Sequence, residues 1–122
     1  FQSAVICTVS QDGLPNASYA PFVMDDRKNI YIYVSGLSTH TQNLNVKPLA
    51  SVLFIEDESK TQQMFARRRL SYDCTATLVN SSTATWIQTV SNFESRFGNI
   101  IQMLRDLPDF RIFQLTPTSG RF

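Results

Sequence analysis

The stretch "YVSGLSTHTQNLNVKPLASVLF", residues 33–54, changes its periodicity twice. It opens at the end of "IYIYVS" (30–35), whose strict alternation is that of a half-buried strand. The middle reads as a short helix. Ser38 or Thr39 can cap its start, Leu37 and Leu44 can pack inward, and Thr41, Gln42 and Asn45 can face water. Pro48 stops the helix, and "LASVLFIEDE" (49–58) returns to strand and ends in acid. A single short helix set between two strands is the pivot on which the rest of the chain is arranged.

Upstream, "SAVICTVS" (3–10) and "ASYAPFVM" (17–24) are two further strand runs joined by the turn "QDGLPN". Pro21 lies inside the second run, which points to an edge or a bulge there. The charged connection "DDRKN" (25–29) leads into residue 30, so three strands with short turns form an antiparallel meander. Downstream, "SKTQQMFA" (59–66) reads as a short helix or loop. "RRRLSYDCTATLV" (67–79) alternates, placing Leu70, Tyr72, Cys74, Ala76 and Leu78 on a core face and Arg67, Arg69, Ser71, Asp73, Thr75 and Thr77 on the other. Trp86, Val90, Phe93 and Phe97 recur at helical spacing until Gly98. A second short helix is expected with Ile100, Ile101 and Leu104 inward; Pro108 ends it, and "FRIFQLTP" (110–117) is the last strand. The order predicts one α+β domain over residues 1–122, with a six-stranded antiparallel sheet that curls into a small barrel.

The chain has 122 residues, 43% hydrophobic and 17% charged, enough to bury a core without metal or disulfide staples. Its net charge of +1 argues neither for nucleic acid nor for a membrane surface. Two isolated cysteines, Cys7 and Cys74, and one histidine, His40, exclude a zinc site of ordinary type. Both cysteines sit in apolar alternating runs and are expected to be buried, reduced thiols of a cytoplasmic protein. The chain opens at Phe1 rather than Met, so it is expected to be part of something longer.

Two clusters could carry chemistry. His40 sits in the first turn of the predicted helix, where free backbone N–H groups and the helix dipole favour an anion and the neutral imidazole. Ser38, Thr39 and Thr41 add hydroxyls to this anion seat; the plainer reading is a hydrogen-bonded structural histidine. Arg67 and Arg69 should project from one strand face and could clamp phosphate or propionate groups, though a basic run is as commonly a solvated surface. The acids at 56–58, and Asp25 with Asp26, read as solvated strand ends and turns. Ser–His–Asp order and Gly-rich phosphate loops are both missing from the sequence.

The meander, the 33–54 segment and "FARRRLSYDCTATLV" (65–79), taken together, resemble the FMN-binding split barrel of the pyridoxamine 5'-phosphate oxidase superfamily. "SYAPFV" (18–23), "STHTQNL" (38–44), "FIEDE" (54–58), "FARRRL" (65–70) and "RFGNII" (96–101) are most similar to its heme-utilisation, HugZ/HutZ-like branch. The resemblance implies a Greek-key split barrel, a homodimer with two cofactor clefts at the subunit interface, and neither nucleic acid nor membrane as partner. Heme is the first cofactor it implies and FMN the alternative. Ser38, His40, Arg67 and Arg69 match the places that hold the FMN phosphate in flavin-binding relatives, although oxidases of the superfamily often carry lysine where His40 stands. In the heme branch His40 and Arg69 match cleft residues, and Asp109 matches an aspartate that supports the heme-ligating histidine of the other subunit. That ligand is expected beyond Phe122, in a C-terminal extension, along with a Gly-rich strand that completes the barrel. The function implied is heme binding for iron acquisition, with oxidative opening of the porphyrin as one form of it. An FMN-dependent oxidoreductase and a non-catalytic cofactor-binding dimer are the alternatives.

Overall fold

The computed structural model describes residues 3–55, 69–98, 101 and 110–121. The chain order is β1 (Ser3–Val9), β2 (Pro15–Met24), β3 (Ile30–Ser35), α1 (Thr39–Val46), β4 (Leu49–Ile55), β5 (Arg69–Leu78), α2 (Ala84–Phe97) and β6 (Phe110–Arg121). The six strands pair antiparallel into a closed barrel in the order β1-β2-β3-β6-β5-β4. The expected α+β six-stranded barrel is therefore present. It closes through β6, with no need of the further Gly-rich strand that the resemblance implied.

Turn chemistry sets the meander. Gly13 takes φ +84° between β1 and β2, the left-handed region that glycine enters without a Cβ penalty. In the β2–β3 turn the Asp25 carboxylate accepts the backbone N–H groups of Arg27 and Asn29, each at 2.9 Å. That network holds Lys28 at φ 69°, unusual for a side-chain-bearing residue. Pro21 sits where β2 hands over its pairing: residues 15–21 face β1, and 22–24 face β3. The proline thus falls at a ladder end, as its missing N–H demands.

The alternating residues fill two cores. Ile6, Ile30, Ile32, Val52, Phe113 and Leu115 meet inside the barrel, where Phe22 and Phe54 tilt together at 4.8 Å. Tyr31, Tyr33 and Ile112 point outward from β3 and β6, but α2 covers them with Val90 and Phe93. Strand β3 is consequently buried on both faces, and each fully buried large side chain contributes about 1.5–3 kcal/mol. Helix α2 begins at Thr83, whose side chain accepts the N–H of Trp86, and ends at Gly98 (φ 80°).

Several expectations are corrected. Leu78 is 51% exposed; burial passes to Val79, whose N–H bonds to Ile112 O and which packs under α2. Strand β6 runs past Pro117 because a bulge opposite Asp73/Cys74 absorbs the proline, and the Thr118 hydroxyl donates to Asp73 O at 2.9 Å. Cys7 is exposed rather than buried; Cys74 is buried, and burial, reinforced by the Asp73 charge, pushes its thiol up to about 11. Just before α1, Leu37 is 73% exposed, while within it Thr41 is buried. The acids at 56–58, the segment 59–66 and most of the second short helix lie outside the described residues; Ile101 is helical and buried, as expected.

Candidate functional site

Helix α1 lies against the end of β1 and the first half of β2 and closes that end of the barrel through Leu44. Its buried face is polar. Thr41 Oγ1 donates to Ser35 O at 2.5 Å and lies 2.8 Å from Ser38 Oγ. Asn43 Nδ2 donates to Thr8 Oγ1 at 3.0 Å, in full burial. A hydroxyl or amide can leave water only with its hydrogen bonds made, and here each is satisfied. This is why a threonine goes inward while Leu37, before the helix, stays out.

Ser38 occupies the N-cap position with extended backbone, but its side chain makes no cap bond. Its hydroxyl is turned to Ser35 O at 2.9 Å instead. The first intrahelical bond is Gln42 N–H to Ser38 O, so the N–H groups of Thr39, His40 and Thr41 precede it and face outward along the axis. The start of α1 therefore retains the donors and partial positive charge that suit an anionic group.

His40 makes the hydrogen bond that the plainer reading expected of it. Its Nδ1 lies 2.6 Å from Ser18 Oγ on β2, tying the first turn of α1 to the barrel wall. Its Nε2 is shielded from solvent and has no hydrogen-bond partner among the described residues. Burial lowers the imidazole's pKa, so the ring is neutral at pH 7. Ser18 escaped the sequence reading, although it was legible as a polar residue sharing the inward parity of Ala20 and Phe22.

Of the two arginines of the expected site, position 69 stands elsewhere on the wall. Arg69 opens β5 opposite Ile55. Ser18 is linked across the ladders through Ile6 and Val52 to Tyr72, three residues beyond Arg69 on β5. Three strand spacings separate β2 from β5 on this route, about 14 Å along the sheet. One chain thus brings Ser38 and His40 together and holds position 69 apart from them. Arg67 and Asp109 lie outside the described residues. Among the described residues no group of three or more His, Cys, Asp or Glu could hold a metal ion.

The barrel wall also carries an uncovered apolar side. Tyr19, Ala17, Val5, Cys7 and Leu53 share the outer face of β2, β1 and β4 through the pairs Val5–Tyr19, Cys7–Ala17 and Val5–Leu53. Tyr19 is 74% exposed, and Leu49 at the start of β4 is 56% exposed.

Comparison with known proteins agrees with this architecture. Residues 1–122 match the family described as pyridoxamine 5'-phosphate oxidase. The chain is 40% identical over 117 residues to a Vibrio cholerae protein described as the heme oxygenase HutZ, covering 96% of this chain and 66% of that one. The crystal structure of HutZ, there called a heme storage protein, superposes with a TM-score of 0.94 at 37% identity, covering 98% of this chain and 84% of the other. Campylobacter jejuni ChuZ superposes with a TM-score of 0.90 at 34% identity, over all of this chain and half of ChuZ. The chain thus spans just under two thirds of the curated relative. On barrel, helix placement and sequence together, it belongs to the pyridoxamine 5'-phosphate oxidase family, in the branch that contains HutZ and ChuZ.

Proposed function

We propose that this chain binds heme as a homodimer in the service of heme utilisation. The observation that carries the reading is the 40% identity to HutZ across nearly the whole chain, which spans the α1 anion seat and the arginine strand. The residues fit the group. A porphyrin needs an apolar surface to lie against and donors for two carboxylates. The chain offers the uncovered face around Tyr19 and the free N–H groups at the start of α1.

Each candidate residue then has a role. Ser38 and His40 shape the α1 terminus, His40 through its bond to Ser18 rather than by ligating iron. Arg67 and Arg69 supply guanidinium contacts to propionates, and the separation of position 69 from α1 in one protomer is met by a cleft between two. Asp109 would support a heme-ligating histidine of the other subunit, in a segment beyond Phe122. Bound heme supplies the iron that meets oxygen, and the protein's part is to bind, orient and exclude water. HutZ is described both as an oxygenase and as a storage protein, and both turnover and storage are compatible with this site. The family match favours a second reading, FMN in the same cleft with an oxidoreductase activity. Among the described residues no helix is long and apolar enough to cross a membrane. We place the protein in the cytoplasm.

Absorbance titration of the full-length protein with hemin, and fluorescence titration with FMN, tests the reading. A saturable Soret band is expected, with Arg69→Ala weakening hemin binding about tenfold, the value of one charge-assisted hydrogen bond. FMN binding without a Soret change would transfer the assignment to the flavin reading. Silence toward both would overturn cofactor binding altogether.

A further inference from the structure

A second cleft lies on the α2 side of the barrel, at the opposite end of β2 from Ser18. It measures 610 Å³ and is walled by Met24, Asp25 and Asp26 at the end of β2 and by Gln88, Asn92, Ser95 and Arg96 on α2. Six residues of β2 separate Ser18 from Met24, about 20 Å, so it is not part of the α1 site. Its volume is that of a small-molecule pocket.

The charges of this cleft are fixed at its two walls. Arg96 has its guanidinium carbon 4.8 Å from the Phe22 ring centroid and 5.7 Å from that of Phe97. Rings on two sides restrict the guanidinium without using its N–H groups, and Arg96 makes no ion pair among the described residues. On the opposite wall Asp25 is locked as a carboxylate. Burial raises its pKa, but bonds from Asn29, Arg27 and Tyr31 outweigh this and hold it below the usual carboxylate value. Asp26 beside it is exposed. Gln88, Asn92 and Ser95 recur along one stripe of α2, and Gln88 Nε2 donates to Asn92 Oδ1 at 3.0 Å, which leaves the Asn92 amide N–H groups free for a ligand.

We propose that this cleft binds a small bipolar molecule of amino-acid size. Its carboxylate sits on Arg96 and its ammonium on Asp26, over an amide floor. A simple anion leaves Asp26 without a partner, and a simple cation leaves Arg96 without one. Only a ligand carrying both charges satisfies both walls, and an amide-lined cleft also rewards polar atoms between them.

The test is a nitrogen-15 NMR titration of the full-length protein with glycine, 4-aminobutyrate and 6-aminohexanoate, and with hexanoate and hexylamine as single-charge controls. Saturable shifts are expected at the Gln88 and Asn92 side-chain amides. One of the bipolar probes should bind about tenfold more tightly than either control. Asp26→Asn should erase that preference while leaving the fold intact, since Asp26 is exposed. Arg96→Lys, which keeps the charge over the rings, should retain part of it. Equal weak shifts with all five probes, or a preference that survives Asp26→Asn, would overturn the proposal.

Discussion

Tyr33 and Tyr19 both stand on the outer face of the same barrel, yet Tyr33 is 4% exposed and Tyr19 is 74% exposed. The first belongs to the β3–β6 side, where α2 lays Phe93 against it with ring centroids 5.5 Å apart. The second belongs to the β2–β1–β4 side, which no helix of the described residues covers. Both sides are built alike, from alternating strands with apolar residues outward, and they differ only in what lies on top. An apolar sheet face left to water favours association. Under the homodimer proposed above, the second layer of the uncovered side would be another copy of the chain, and the proposed heme cleft would depend on that assembly.

The covered side gives the largest expected effect. Phe93 is fully buried between the tyrosines of β3 and Phe97. Phe93→Ala should cost about 3–5 kcal/mol of folding stability, read as a fall in the denaturant midpoint. A loss below about 1 kcal/mol would show that α2 is not a true second layer, and the contrast between the two sides would collapse.

The uncovered side should answer in association instead. Tyr19→Glu places a charge on an exposed position, so folding stability should change by no more than about 0.5 kcal/mol. Dimerisation should weaken by about 3 kcal/mol, more than a hundredfold, in sedimentation equilibrium. An unchanged dimer would move the interface off this face. The same variant titrated with hemin sharpens the comparison, because a cleft built between two copies should lose heme with the dimer.

How far the sequence reached differs between the two cores and the site. Alternation in β1 to β5 and the helical spacing of Trp86, Val90, Phe93 and Phe97 made the strands and α2 legible, because each element buries an apolar face whose period is visible. The inward face of α1 was not legible. Thr41 and Asn43 are buried through hydrogen bonds to Ser35 and Thr8, and a hydrophobic pattern carries no trace of a polar side chain buried by its hydrogen bonds. His40 shows both limits. Its place at the helix start was readable, but its bond to Ser18 depends on how α1 seats on β2, twenty-two residues away. The exposure of Leu78 failed for a related reason, since the strand pattern does not say where the next layer begins.

The smallest expected effect concerns that histidine and the end of the barrel between the two sides. The folded state lowers the His40 pKa by burial, so it disfavours the imidazolium, whose second N–H would lack an acceptor at Nε2. The sign follows from linkage. A histidine depressed in the fold contributes its full stability above the unfolded value near about 6.5, loses it as pH falls toward the lower folded value, and levels off below that. Stability measured from pH 8 to pH 5 should therefore decline below about 6.5 in the wild type. In His40→Gln, which cannot take up a proton, that part of the decline should flatten. Hydrogen exchange should locate the loss at α1 and the Ser18 region of β2, leaving α2 unchanged. If exchange instead rises first at α2, the coupling between His40 and the covered side is stronger than the two-sided barrel allows, and the two halves do not respond independently.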